Sequence, residues 1–144
     1  MTPTTASVRP PPEAFDLSVD TLTIGAGACG LVAALSSKEA GKEVLVVEAD
    51  TVPSGSTALS AGLIPAAGTR IQRELGIHDA ADLFAADIQR KANEENEQGL
   101  VDLLCQNAAE VIDWLAEAHG LPFSLVDDFD YPGHSRRRMH GLPT

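Results

Sequence analysis

The run Thr21-Leu22-Thr23-Ile24-Gly25-Ala26-Gly27-Ala28-Cys29-Gly30 constrains this chain more than any other stretch. It couples four strand-forming residues directly to a G-x-G-x-x-G turn, and the residues that follow are helix formers. A strand that turns so sharply into a helix needs glycine at defined points. Gly25 allows the turn, Gly27 lets a ligand approach the backbone, and Gly30 lets the helix lie close against the strand. The free N–H groups at the helix start carry about half an elementary positive charge, which suits a pyrophosphate. Ala26, Ala28 and Cys29 complete the loop around it.

From Ala28 to about Ala40 the residues favour helix, with Leu31, Ala34 and Leu35 on one face and Gly41 as the stop. Glu43-Val44-Leu45-Val46-Val47 then reads as a buried parallel strand that ends at Glu48, with Ala49 following. Eighteen positions separate Gly30 from Glu48, close to the roughly 20 expected of the acid that accepts the hydroxyl protons of an adenosine ribose. The same charge disfavours a 2′-phosphate. Together these residues predict a dinucleotide-binding β-α-β unit within an α/β, Rossmann-like fold.

A length of 144 residues suits one domain and is short for an enzyme that also needs a substrate domain. Residues 1–17 hold Pro3, Pro10, Pro11 and Pro12 among Thr, Ser and Ala, and predict a disordered leader; residues 18–144 form the domain. Without an apolar stretch of signal or membrane length, the expectation is a cytoplasmic protein with no membrane span. Ten basic and twenty-one acidic side chains give 10 − 21 = −11, which argues against nucleic acid as a partner. Cys29 and Cys105 suggest neither a disulfide framework nor a metal site.

Residues 52–69 decide between nicotinamide and flavin. Val52-Pro53-Ser54-Gly55-Ser56-Thr57-Ala58-Leu59-Ser60-Ala61-Gly62-Leu63-Ile64-Pro65-Ala66-Ala67-Gly68-Thr69 offers hydroxyls, backbone amides and little bulk. Such a loop can follow a pyrophosphate and the edge of a flat ring. Here the chain resembles the fumarate reductase and succinate dehydrogenase flavoprotein family, with its flavocytochrome c and ketosteroid dehydrogenase relatives. The shared pattern, GG-(N/S)-(S/T)-x-x-(S/A)-x-G-G, lines the flavin. Ser56, Thr57, Ala61 and Gly62 follow it, while Ser54 and Leu63 replace its first and last glycines. Ser56 stands near the position where succinate dehydrogenases carry the histidine that joins flavin covalently, so the resemblance implies non-covalent FAD.

Two helices are expected next. One spans about Asp79 to Asn93, capped by Asp79, with Leu83, Phe84, Ile88 and Ala92 on one face; the other runs from about Gly99 to His119. Leu100, Leu103, Leu104, Ala108, Val111, Ile112 and Leu115 form the apolar stripe of the second, and Gly120 with Pro122 ends it. Trp114, His119 and Met139 read as core residues. Near the end, three arginines and two histidines reverse the charge of the preceding aspartates. His134, Ser135, Arg138 and His140 occupy an H-S-x-x-R-x-H pattern that, in the resembled family, lies near the substrate cavity. An exposed turn pairing the basic side chains with Asp127, Asp128 and Asp130 is the competing reading, with Arg136 and Arg137 as solvated members.

The resemblance implies an oxidoreductase that moves hydride between flavin and an activated C–C bond of a saturated or unsaturated carboxylate or a ketosteroid. It also implies returning strands, a capping domain and a proton-donating arginine beyond Thr144. The expectation is therefore an amino-terminal segment with an incomplete sheet and exposed apolar edges, itself not competent in catalysis. The sequence nominates no catalytic residue. An NAD-dependent oxidoreductase fragment or a truncated non-catalytic product are the alternatives.

Overall fold

Four consecutive residues of extended backbone, Thr21–Ile24 (β1), pair in parallel with Val44–Val47 (β2), in the register Thr21↔Val44 to Ile24↔Val47. In this computed structural model, which describes residues 10–143, the chain divides into two compact units, Met1–Leu59 and Ser60–Thr144. Of the expected leader, residues 1–9 lie outside the described residues, and residues 10–17 are exposed with no helix or strand.

In the first unit, Ala28–Glu39 (α1) crosses between the two strands. The strand start is tied by Asp20, whose carboxylate accepts the Glu43 N–H at 3.0 Å. Helix α1 ends where expected: Ala40 is the cap and Gly41 adopts φ +76°, a left-handed conformation that a side chain would strain. Leu31 departs from the sequence expectation. It is exposed, while Val32, Ala34 and Leu35 are partly covered. A one-turn helix, Ser56–Leu59 (α2), closes this unit. The two-stranded sheet leaves Leu22, Ile24 and Val47 exposed, as the incomplete sheet implies.

The second unit begins with Ile64–Pro65 (β3), followed by Arg70–Glu74 (α3), Ala81–Lys91 (α4) and Gln98–Glu117 (α5). Ser124–Leu125 (β4) and Met139–Gly141 (β5) complete an antiparallel sheet in the order β3-β5-β4. Helix α3 was not expected, although Thr69 and Gln72 form a capping box at its start. The cap of α4 is Ala80 and not Asp79, because the Asp79 carboxylate is turned to other partners. Helix α5 is capped by Glu97, which accepts the N–H groups of Gly99 and Leu100 at 3.0 and 2.7 Å.

The apolar core gathers Ala67, Phe84, Ala85, Val101 and Cys105, with Ala81 and Ile88 against it. The expected stripe on α5 is covered only in part, with its Ile112 and Leu115 facing inward as expected. Val101, Cys105, Ile112 and Leu115 are buried, whereas Leu100, Leu103, Leu104 and Val111 are exposed. Trp114 is half-buried and meets His119 edge to face, with ring centroids 4.5 Å apart.

Candidate functional site

The glycine turn lies at the junction of β1 and α1. Gly25 has φ +98°, and its N–H donates to the Val47 carbonyl at 2.7 Å, which locks the turn to the end of β2. Gly27 is the cap of α1. Gly30 is sterically obligatory: a Cβ there would lie 2.2 Å from the Gly25 carbonyl oxygen and 2.9 Å from Thr23 Cγ2. Only a residue without a side chain lets the first turn of α1 sit this close to β1.

Glu48 folds onto that turn. Its Oε2 accepts the Ala26 N–H at 2.8 Å, and its Oε1 accepts the N–H groups of Ala49 at 2.7 Å and Asp50 at 3.3 Å. The bonds from Ala26, Asp50 and Ala49 hold its carboxyl below the usual carboxylate range. The charged form is thus fixed at the mouth of the turn, exposed, with acceptor capacity left over. Thr57 approaches from α2, and its Oγ1 accepts the Ala28 N–H at 3.1 Å. A Cβ on Gly27 would stand 3.6 Å from the same hydroxyl. Cys29 is exposed in the first turn of α1, and Ser56 is exposed at the start of α2.

Gly25, Ala26, Gly27, Ala28, Cys29, Gly30, Glu48, Ala49, Ser56 and Thr57 thus all belong to the first unit. Ala61 and Gly62 belong to the second, where both are exposed and Gly62 takes φ +71°. The first turn of α1 and the acid at the end of β2 fit a dinucleotide: one end offers N–H donors to a diphosphate and the other a carboxylate to a sugar.

The H-S-x-x-R-x-H segment sits in the second unit, and most of its polarity is spent inward. Arg138 is fully buried and donates from Nε and Nη2 to Asp79 at 2.6 and 2.9 Å, and from Nη1 to Asp87 at 2.5 Å. Its guanidinium also lies over the Phe84 ring at 4.9 Å. Asp87 Oδ2 further accepts the N–H and hydroxyl of Ser135 at 2.8 and 2.7 Å, and Oδ1 takes Arg90 at 2.6 Å. Burial alone would raise the Asp87 pKa, but the bonds from Arg138, Ser135 and Arg90 outweigh it and push the group well below the usual range.

His140 is fully buried with Nε2 2.9 Å from Thr69 Oγ1, and burial keeps its pKa below the ordinary histidine value. His134 is half-buried between Phe84 and Tyr131, at centroid distances of 5.5 and 4.9 Å. Desolvation, then the Arg138 charge, lower its pKa as well. Arg136 and Arg137 are exposed, and only Arg137 pairs with a preceding aspartate, Asp130 at 3.0 Å.

The sequence did not mark Asp79, Asp87 or Gln72 as members of this cluster. Asp87 carried a signal: it falls between Phe84 and Ile88 on the apolar face of α4, where a carboxylate demands a partner. Gln72 bridges Asp79 at 3.0 Å and the Arg137 carbonyl at 2.6 Å.

Fold and site together define a β-α-β dinucleotide-binding unit joined to a helical unit with a buried ionic centre. Residues 20–141 match the FAD binding domain family, and the chain belongs to it. Its members are FAD-dependent oxidoreductases, so of the two dinucleotides that the glycine turn left open, FAD is the cofactor.

The chain is 32% identical over 124 residues to the urocanate reductase of Eggerthella lenta, covering 86% of this chain and 20% of that protein. Among solved structures, the open conformation of a flavocytochrome c3 fumarate reductase superposes with a TM-score of 0.72 at 30% identity, over 86% of this chain and 22% of that one. The 3-ketosteroid-Δ4-(5α)-dehydrogenase of Rhodococcus jostii RHA1 gives 0.67 at 26% identity, over 78% and 23%. The chain spans about a fifth of the length of the relatives it matches. Among the described residues no helix is long and apolar enough to cross a membrane, and no cluster of potential metal ligands occurs.

Proposed function

We propose that this chain supplies the adenine-dinucleotide half of the FAD site in an oxidoreductase that exchanges hydride between flavin and an activated C–C bond. The observation that carries the reading is the Glu48 carboxylate held 2.8 Å from the Ala26 N–H, inside the glycine turn. In this proposal the N–H groups of Gly27, Cys29 and Gly30 hold the pyrophosphate, Glu48 receives the ribose hydroxyls, and Ser56, Thr57, Ala61 and Gly62 serve the flavin side. Thr57 already fixes the start of α1 through Ala28 and so sets the angle at which the helix dipole meets the anion.

Flavin itself would supply the hydride chemistry, and the protein groups bind and orient it. Ser56 offers no imidazole for a covalent link, which supports non-covalent binding. The similarity to urocanate, fumarate and ketosteroid enzymes supports an unsaturated or saturated carboxylate or a ketosteroid as the substrate class. Within the 134–140 segment, His134 and Ser135 stand at the outer side. Arg138 and His140 act as positioning residues that hold it from within. Two free cysteines suit a reducing, cytoplasmic setting.

Titrating FAD into the 144-residue chain while following flavin fluorescence tests the site. Quenching is expected for the unaltered chain, and Glu48→Gln should weaken it by about tenfold, the scale of a lost hydrogen bond to a charged group. Affinity unchanged in Glu48→Gln would remove the ribose assignment.

A further inference from the structure

A cleft of about 610 Å³ opens in the Ser60–Thr144 unit, and His134 and Ser135, the outer end of the 134–140 segment, form part of its lining. Its size falls within the roughly 300–1,000 Å³ of small-molecule sites. Leu75, Ile77 and Leu125 give it an apolar wall. Two charged pairs of residues border it, and they are in different states. Arg137 and Asp130 neutralise each other at 3.0 Å.

Arg136 and Asp127 do not. The Arg136 guanidinium is pinned by carbonyls alone, with Nε donating to His78 at 3.2 Å and Nη1 to Ser135 at 2.8 Å. Those bonds fix its direction without cancelling its charge, and they leave three of its five N–H donors uncommitted. Asp127 lines the same cleft and has no hydrogen-bond or ion-pair partner among the described residues. The cleft thus presents one oriented cation, one bare carboxylate and an apolar wall.

We propose that this cleft binds a small zwitterion with an apolar body, its carboxylate on Arg136 and its ammonium group on Asp127. A simple anion would meet the Asp127 charge, and a simple cation would meet Arg136, so each gains one contact and suffers one repulsion. The zwitterion satisfies both. The site does not depend on FAD binding, but it shares His134 and Ser135 with the segment considered above for substrate.

Three probes that share a phenyl group isolate the charge pattern: phenylalanine, phenylacetate and phenethylamine. Amide shifts in the ¹⁵N spectrum of the chain should follow phenylalanine at residues 75–77, 125–127 and 134–137, with affinity about tenfold above that for the other two. Arg136→Gln should drop phenylalanine to the level of phenethylamine, and Asp127→Asn to the level of phenylacetate. Both side chains are exposed, so neither change threatens the fold. Equal affinity for the three probes, no binding of phenylalanine up to its solubility limit, shifts confined to other residues, or a zwitterion preference that survives both substitutions would overturn the proposal. FAD titration of the same samples reads the other site independently.

Discussion

Replacing Arg138 by methionine removes the one cation that two buried carboxylates share. The Asp79 and Asp87 side chains are fully buried alongside it. After the change, Asp79 keeps Gln72 and the Ala80 N–H, and Asp87 keeps Ser135 and Arg90. Those contacts satisfy lone pairs but leave Asp79 with no cation. Breaking a buried pair by removing one partner costs about 3–5 kcal/mol, and methionine fills much of the volume, so a net loss of about 3 kcal/mol is expected. Against a typical stability of about 5–15 kcal/mol this is large.

The assay is urea unfolding followed by the fluorescence of Trp114, the only tryptophan, which lies in α5 of the same unit. Adding Asp79→Asn and Asp87→Asn to the variant removes the stranded charges and should recover about half of the loss. A loss below about 1 kcal/mol, or no recovery in the triple variant, would refute the reasoning that Arg138 is an internal counter-ion.

Gly30→Ala should gain about 1 kcal/mol in helix propensity but lose about 1–3 kcal/mol to the clash with Gly25, and faster hydrogen exchange in α1 with an unchanged Trp114 transition would report that net loss. His134 and His140 are held below their ordinary pKa, so the unfolded chain takes up protons first as pH falls below about 6.5 and stability declines from there. Asp87, also depressed, adds a further decline below about pH 4; in His140→Gln the slope between pH 6.5 and 5 should shrink while the lower phase persists. Leu103→Gln lies on the exposed face of α5 and should leave the urea midpoint within about 0.5 kcal/mol, whereas Ile112→Ala on the buried face should cost about 2–5 kcal/mol by the same measurement.

The β-α-β unit was legible because each of its demands is local. A left-handed Gly25, a Gly30 with no room for a methyl group and an acid at the end of the second strand are properties of neighbours in sequence, and periodicity places them. Helix α5 was legible as a helix and only partly in its orientation, since Ile112 and Leu115 of the expected stripe are the ones that turn inward. It carries two adjacent apolar stripes, one through Leu100, Leu103, Leu104 and Val111 and the other through Val101, Cys105, Ile112 and Leu115. Side-chain hydropathy does not separate the two faces, and packing against Phe84 and Ala85 decides which is covered.

The ionic centre was illegible for a different reason. An arginine in a run of three reads as solvated, since an isolated buried charge is prohibitively costly. Only the approach of Asp79, 59 positions away, and Asp87, 51 away, makes burial tolerable for Arg138. No local window contains both halves of that balance. Thr69 with Gln72 was the missed cue that could have been read, as a helix start and as the floor beneath His140.

The distance in sequence between those charges has a temporal consequence. During synthesis, Asp79 just before α4 and Asp87 within it leave the ribosome ahead of the interior they will face, and some fifty residues must follow before the Arg138 guanidinium arrives. Until then the helix pair can meet only with water left between, so consolidation of this half of the chain should wait for its final strand. The step that dries the interior would then be the docking of residues 134–141, and a chaperone would find its target in the interval before it.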